Sequence, residues 1–277
     1  MGNVIVSGSF DDLNLRQVRL LEEAARLGSV HLLLWSDALA ARLEGKAVKF
    51  PQEERRYYTE AIRFVDRVTL VEDLPSPAAL PLSILPQPLT WVVEHVELCG
   101  AHGEALRDYC AANSIELAPI SEAQLRAIPP FAAEEVEAAP GRKKVLVTGC
   151  YDWLHSGHVR FFEETSQMGD LYVAVGNDDS VRLLKGEGHP LFGQNHRRYM
   201  VQSIRYVKQA VFTSGTGWMD AGPEVLRIKP DFYVVNEDGD RPEKRAFCAE
   251  HGVTYVVLKR KPKEGLPPRV STYLRGF

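Results

Sequence analysis

The residues best suited to chemistry lie in 147–162, VTGCYDWLHSGHVRFF. An apolar run ends in Gly149, a turn carries Cys150, Tyr151 and Asp152, and His155-Ser156-Gly157-His158 then opens a helix. Two histidines three residues apart share one face of a first helical turn. Gly157 between them lets a ligand approach the backbone. The start of a helix also offers unpaired N–H groups and a partial positive charge. Two imidazole donors beside such an end make a site for a polyphosphate. A bare pair of this kind can simply cap its helix; the preceding strand, glycine, aromatic residue and aspartate favour the phosphate site.

The elements around this motif alternate. Residues 144–149 form a short, apolar, β-branched run that reads as a buried parallel strand. The helix 155–169 presents Val159, Phe161, Phe162 and Met168 on one face and ends at Gly169. A strand over 171–176, a helix over 197–207, a strand over 209–213, a helix over 223–229 and strands over 231–236 and 253–260 follow. Such alternation implies an α/β fold with a doubly wound parallel sheet and a ligand at the strand C-termini.

The chain contains this pattern twice. Residues 4–45 align without a gap on 145–186, with thirteen of 42 positions identical. After a one-residue slip, RRYYTEAIRFV (55–65) matches RRYMVQSIRYV (197–207), and YCAANSIEL (109–117) resembles FCAEHGVTY (247–255). Two tandem Rossmann-like domains are therefore expected, forming a pseudo-dimer: residues 1–120, a proline-rich linker over 121–143, and residues 144–277. The proline-rich stretch 75–88 reads as an ordered loop within the first copy, followed by a strand over 90–96.

The 277 residues are 45% apolar and 25% charged, an ordinary globular balance. No apolar run approaches the ~20 residues that span a bilayer, and the start carries no basic leader, so a cytoplasmic protein without membrane insertion is expected. The four cysteines form no CxxC pair, which argues against structural zinc and a disulfide framework, and the remaining histidines show no metal spacing. The net charge of −4 hides an asymmetry: residues 1–140 balance at −9 and residues 141–277 at +5. The positive charges are scattered, which suits a small phosphorylated ligand better than nucleic acid.

On the HSGH motif, LLKG (183–186), HRRYMVQSIRYV (196–207) and RVSTYLR (269–275), the second copy resembles the cytidylyltransferase-like nucleotidyltransferases. The resemblance implies that His155 and His158 hold the triphosphate and stabilise the departing pyrophosphate, and that Lys185 contacts the phosphate being transferred. Gly149, Cys150, Tyr151, Asp152 and Gly157 shape the phosphate site, with Asp152 orienting His155 or the turn. Arg198 matches an arginine that contacts substrate or nucleotide, with a structural salt bridge as the other reading. Ser271 and Thr272 match hydroxyls that grip the β- and γ-phosphates, and Arg269 matches the preceding arginine, although it lies closer to Ser271 than in the family pattern. Asn236, Glu237 and Asp238 replace a glycine-and-aspartate segment that faces base or substrate.

The implied reaction moves a nucleoside monophosphate from a nucleoside triphosphate, with Mg2+, to a small phosphorylated alcohol or sugar. CTP is the expected donor, on the likeness of the helix at 196–207 to the phospholipid-type cytidylyltransferases. ATP with a sugar phosphate, or a nucleotide sensor without turnover, are the alternatives. The first copy has Asn14-Leu15-Arg16-Gln17 at the HSGH positions and Glu44 at the position of Lys185. It keeps Gly8, Phe10, Asp11, Gly28, Asp37, Gly45, Arg55 and Arg56, and reads as a degenerate domain that retained the fold. The chain is expected as a monomeric pseudo-dimer or a homodimer.

Overall fold

The computed structural model describes residues 2–134 and 136–271. The chain divides into two compact units, Met1–Ile128 and Pro129–Phe277. In the first, β1 (Gly2–Gly8), α1 (Leu15–Ala25), β2 (Gly28–Trp35), α2 (Asp37–Glu44), α3 (Gln52–Glu60) and β3 (Arg67–Val71) are followed by β4 (Leu89–Glu94), α4 (Gly100–Ala112), β5 (Glu116–Ile120) and α5 (Glu122–Arg126). The second runs β6 (Lys144–Gly149), α6 (Ser156–Ser166), β7 (Asp170–Val175), α7 (Asp178–Lys185), α8 (Gln194–Gln202), β8 (Val207–Phe212), α9 (Gly222–Ile228), β9 (Phe232–Asn236), α10 (Pro242–Glu250) and β10 (Thr254–Leu258).

Each unit builds one five-stranded parallel sheet, ordered β3-β2-β1-β4-β5 and β10-β9-β6-β7-β8. Read from opposite edges these are the same order, so the doubly wound α/β fold expected from the repeat is present twice. The central strands β1 and β6 are buried at their apolar positions, as strands covered on both faces must be. In the second unit Leu146, Tyr172, Val211 and Tyr233 from four neighbouring strands share one core with Val225 and Cys248 of the covering helices. The chain leaves β6 on one side toward β7 and returns as β9 on the other. A crevice opens at this switch point, beyond the strand C-termini.

Some boundaries differ from the periodicity. The helix expected over 197–207 ends at Gln202, whose side-chain oxygen accepts the Ala210 N–H at 2.7 Å and so turns the chain into β8. Gly169 is not a helix cap: a Cβ there would stand 2.2 Å from the Lys143 carbonyl oxygen, so it permits close passage of the chain into β7. Within 121–143, α5 carries Gln124, whose carbonyl accepts Arg19 Nε at 3.3 Å, and Ala139 donates to Asp170 at 2.7 Å. Among the described residues no helix is long and apolar enough to cross a membrane.

The two units share a buried clamp. Arg197 donates from Nε to the Phe192 carbonyl (2.8 Å), from one terminal nitrogen to the Cys150 carbonyl (2.6 Å) and from the other to Asp178 (2.6 Å). Arg55 does the same to Phe50 (3.0 Å), Ser9 and Asp37 (2.7 Å). The clamp ties the loop after the central strand to the helix after the second strand. Charge-assisted bonds at a fully enclosed guanidinium are strong, and removing one partner strands the others. Arg55→Met and Arg197→Met should each lower stability by about 3 kcal/mol in urea titrations. A loss under about 1 kcal/mol would show that the clamp does not hold the loop.

Candidate active site

The site is built at the end of β6 and the start of α6. His155 is the N-cap of α6: its Nδ1 accepts the Gly157 N–H at 3.1 Å. His158 Nδ1 faces the His155 N–H at 3.4 Å and completes a capping box. The rings stack at a centroid distance of 4.0 Å. Gly157 is required here, because a Cβ would come within 3.0 Å of the His155 ring. A ring nitrogen that accepts an N–H carries no proton, so this network assigns the neutral tautomer with hydrogen on Nε2 to both. Among the described residues His155 Nε2 is buried without a hydrogen-bond partner.

Burial, with Arg260 and Arg269 adding repulsion, lowers the His155 pKa to about 3. Burial, His155, Arg260 and Lys185 hold His158 well below its ordinary value. Both imidazoles are therefore neutral N–H donors near neutral pH. Tyr151 backs His158 edge-on, with ring centroids 5.3 Å apart, and its backbone sits in the left-handed region at φ 52°.

A cavity of about 420 Å3 opens beside them. Gly149, Cys150, Tyr151, Asp152, Gly157, His158 and Lys185 line it together with Asn236, Asp238 and Ser271, so most of the residues expected from the sequence converge. Lys185 ends α7, and Gly186 turns the chain at φ 84°, open to glycine and to few other residues. Glu237 lies beside Asn236 in a short 3-10 turn, off the cavity wall. Arg269 contributes its carbonyl, which accepts from Arg260 at 2.9 Å. Thr272 lies outside the described residues.

Partners in the structure select between the alternative roles of two residues. Asp152 does not orient His155: its carboxylate accepts the N–H groups of Leu191 (2.6 Å) and Phe192 (3.1 Å) and meets His189 Nδ1 at 2.8 Å, which pins the loop between α7 and α8. Asp11 does the equivalent in the first unit, accepting from Lys49 and Phe50. Arg198 is buried away from the cavity, with Nε donating to Ala210, an ion pair to Glu134 at 3.3 Å and its guanidinium over Phe131. Its structural reading holds. Sequence reasoning missed Arg260, which pairs with Asp238 at 2.6 Å, and Lys244 of α10, which also reaches the cavity. Among the described residues no cluster of His, Cys, Asp and Glu could hold a metal ion by itself.

A doubly wound sheet with paired helix-capping imidazoles at its switch point defines a nucleotide-handling α/β domain. A family model described as cytidylyltransferase-like matches residues 146–262. FAD synthase of Aciduliprofundum boonei is 34% identical over 121 residues, 43% of this chain and 78% of that protein. Bifunctional protein HldE of Campylobacter concisus is 35% identical over 107 residues, 38% of this chain and 22% of that protein; the chain thus spans about a fifth of that relative's length. The solved lipopolysaccharide core biosynthesis protein from Thermoplasma volcanium is 24% identical and covers 45% of this chain and 100% of that one, at a TM-score of 0.38. The chain belongs to the cytidylyltransferase-like nucleotidyltransferase family.

The depressed histidines make stability depend on pH. Below about pH 6.5 the unfolded imidazoles take up protons that the folded ones refuse, so stability present above that value is lost progressively as pH falls toward the folded values. The double variant His155→Asn, His158→Gln copies the caps of the first unit, where the Asn14 side chain accepts the Gln17 N–H at 3.3 Å and Gln17 accepts the Asn14 N–H at 3.1 Å. It should match the wild type in urea titrations near pH 7.5 and be the more acid-resistant by about 1.4 kcal/mol per imidazole near pH 5.5. Parallel pH profiles of the two proteins would contradict the neutral assignment.

Proposed function

We propose that the second unit transfers a nucleoside monophosphate from a magnesium-bound nucleoside triphosphate to a small phosphate ester. The observation that carries this reading is the pair of stacked imidazoles at the start of α6, with His158 on the cavity wall and His155 Nε2 buried without a hydrogen-bond partner among the described residues. A triphosphate laid along that helix end would meet two neutral donors and the helix dipole. The acceptor's phosphate oxygen attacks the α-phosphorus in line; the new O–P bond forms, the bond to the bridging oxygen breaks, and pyrophosphate leaves with that oxygen's electron pair. The attacking oxygen is already anionic, so no general base is needed. Positioning and charge stabilisation carry the rate.

Lys185 and the two histidines would follow the negative charge as it moves onto pyrophosphate. Magnesium would arrive with the triphosphate as part of the substrate; it favours phosphate and water oxygens and needs no protein cage. Asn236, Asp238 and Gly239 at the end of β9 would border the base. FAD synthase, named for a product that contains adenine, supports ATP as donor. The likeness of 196–207 to cytidylyltransferases supports CTP as the second reading.

Pyrophosphate release should be detectable from ATP or CTP with Mg2+ over a panel of phosphorylated acceptors. His158→Ala should lower it by about 10²–10³, as loss of a transition-state donor does. Full turnover by this variant would overturn the assigned site. Thermal shift with each triphosphate and Mg2+ selects the nucleotide, since a ligand at a hundredfold excess over Kd adds about 2.7 kcal/mol of apparent stability. A shift with ATP and none with CTP would leave only the adenylyl reading.

A further inference from the structure

A second cavity, of about 210 Å3, adjoins the first. Thr148, Gly149, Cys150, Lys185 and Lys244 line both, so these residues stand where the two spaces meet. The smaller space is otherwise walled by α7, Gly176 after β7, and the loop that carries Trp218 and Asp220. Lys244 is 8% exposed. Among the described residues it makes no hydrogen bond or ion pair, and its ammonium lies 5.9 Å from the Tyr233 ring. Burial lowers its pKa, with the Asp220 carboxylate opposing that fall. A lysine buried in this way is retained against a desolvation penalty unless an anion completes it.

The first unit shows what the same fold looks like without this space. The match of 109–117 to 247–255 places Leu106 at the position of Lys244, and the match of 4–45 to 145–186 places Trp35 at the position of Gly176. Leu106 is fully buried, Trp35 is 8% exposed, and both belong to one apolar core. The Trp35 indole donates to Ser7 Oγ at 2.9 Å, and Ser7 stands at the position of Thr148. Tryptophan and leucine fill the first unit where glycine and lysine hollow out the second. A Cβ on Gly176 would lie 3.6 Å from an Asp220 carboxylate oxygen, so the missing side chain also opens the approach to that carboxylate.

We propose that this smaller cavity is the acceptor subsite, that Lys244 binds the acceptor's phosphate at the junction with the triphosphate cavity, and that Asp220 accepts hydrogen bonds from acceptor hydroxyls. The inference rests on the nucleotidyl-transfer reading. Its chemistry selects the phosphate ester of a small polyol. A space of about 210 Å3 suits a short hydroxylated chain. The Trp218 ring, half exposed at the rim, offers a face to the carbon chain. Lys244 addresses the difficulty intrinsic to the reaction: an anionic nucleophile must approach an anionic phosphorus. A cation at the junction offsets that repulsion while the acceptor is held in line.

Isothermal titration tests the subsite on the full chain, with Mg2+ and a non-hydrolysable ATP or CTP analogue. The probes are glycerol 3-phosphate, ribose 5-phosphate, glucose 1-phosphate and flavin mononucleotide. At least one of the three polyol phosphates should bind the wild type in the presence of analogue. Its Kd should rise on the order of 10–100-fold in Lys244→Leu, the loss of one charge-assisted contact. Lys244→Arg should retain most of the affinity, and in Lys244→Leu the analogue's own Kd should rise by a clearly smaller factor than the polyol phosphate's. Equal polyol phosphate binding by wild type and Lys244→Leu overturns the subsite. So does binding of the flavin alone, or of no probe while the analogue still binds. A wild type that binds neither analogue overturns the nucleotidyl-transfer reading itself, and the subsite with it.

Discussion

Two backbone N–H groups at the start of α6 decide what the candidate site can do. One donates to His155 and the other faces His158, in both instances at Nδ1, and that leaves each ring a single place for its proton. The bonds that end the helix therefore also aim the donors. Among the described residues the His155 Nε2 is buried without a hydrogen-bond partner, an arrangement that costs free energy until an acceptor meets it. Burial strips a cationic imidazolium in this place of its solvation, and Arg260, Lys185 and the helix dipole repel it as well, which is why the neutral form is the stable one.

The duplicated fold separates scaffold from chemistry without an outside comparison. Whatever both units keep at equivalent positions holds the loop: the arginine clamp, the aspartate that pins the loop before α3 or α8, and an aromatic residue at positive φ, Phe10 or Tyr151. Several of the differences face the cavities. Glycine still turns the chain after α2 and α7, at φ 69° and 84°, yet the residue before it is Glu44 in one and Lys185 in the other. The charge before the glycine reverses between the units, and the turn differs too, with ψ 18° at Gly45 and −173° at Gly186. The caps differ as well: Asn14 and Gln17 close their box through side-chain amide oxygens, where the second unit uses imidazole nitrogens.

Much of this was legible in the sequence, for local reasons. Buried parallel strands are continuous apolar runs, and the HSGH motif needs only its own turn and the helix it opens. The positions whose roles the sequence left open were those whose partners lie far along the chain. Asp152 bonds to N–H groups 39 and 40 residues away, and Arg198 is claimed by an ion pair to Glu134, 64 residues upstream. No spacing rule reaches that far. Lys244 and Arg260 come from α10 and the segment after β10, so neither shares a motif with the histidines. Yet the repeat did hold one pointer: a lysine standing four residues before Cys248, where the other copy has a core leucine four residues before Cys110.

The electrostatics of the second unit follow from how its carboxylates are spent. Asp152 faces the cavity by position, but backbone N–H groups and His189 occupy its oxygens. Asp238 is tied to Arg260. Asp178 closes the Arg197 clamp. With these three acids paired locally, Lys185, Lys244 and the helix end bring positive charge to the cavity, and Asp220 is the carboxylate beside Lys244. An anionic nucleophile and an anionic electrophile can meet in water only against their mutual repulsion; a walled space with cations fixed at the junction and water reduced makes each of those charges count for more. The scattered lysines and arginines of the sequence become a site because the switch point of one parallel sheet gathers them at the ends of β6 and β9.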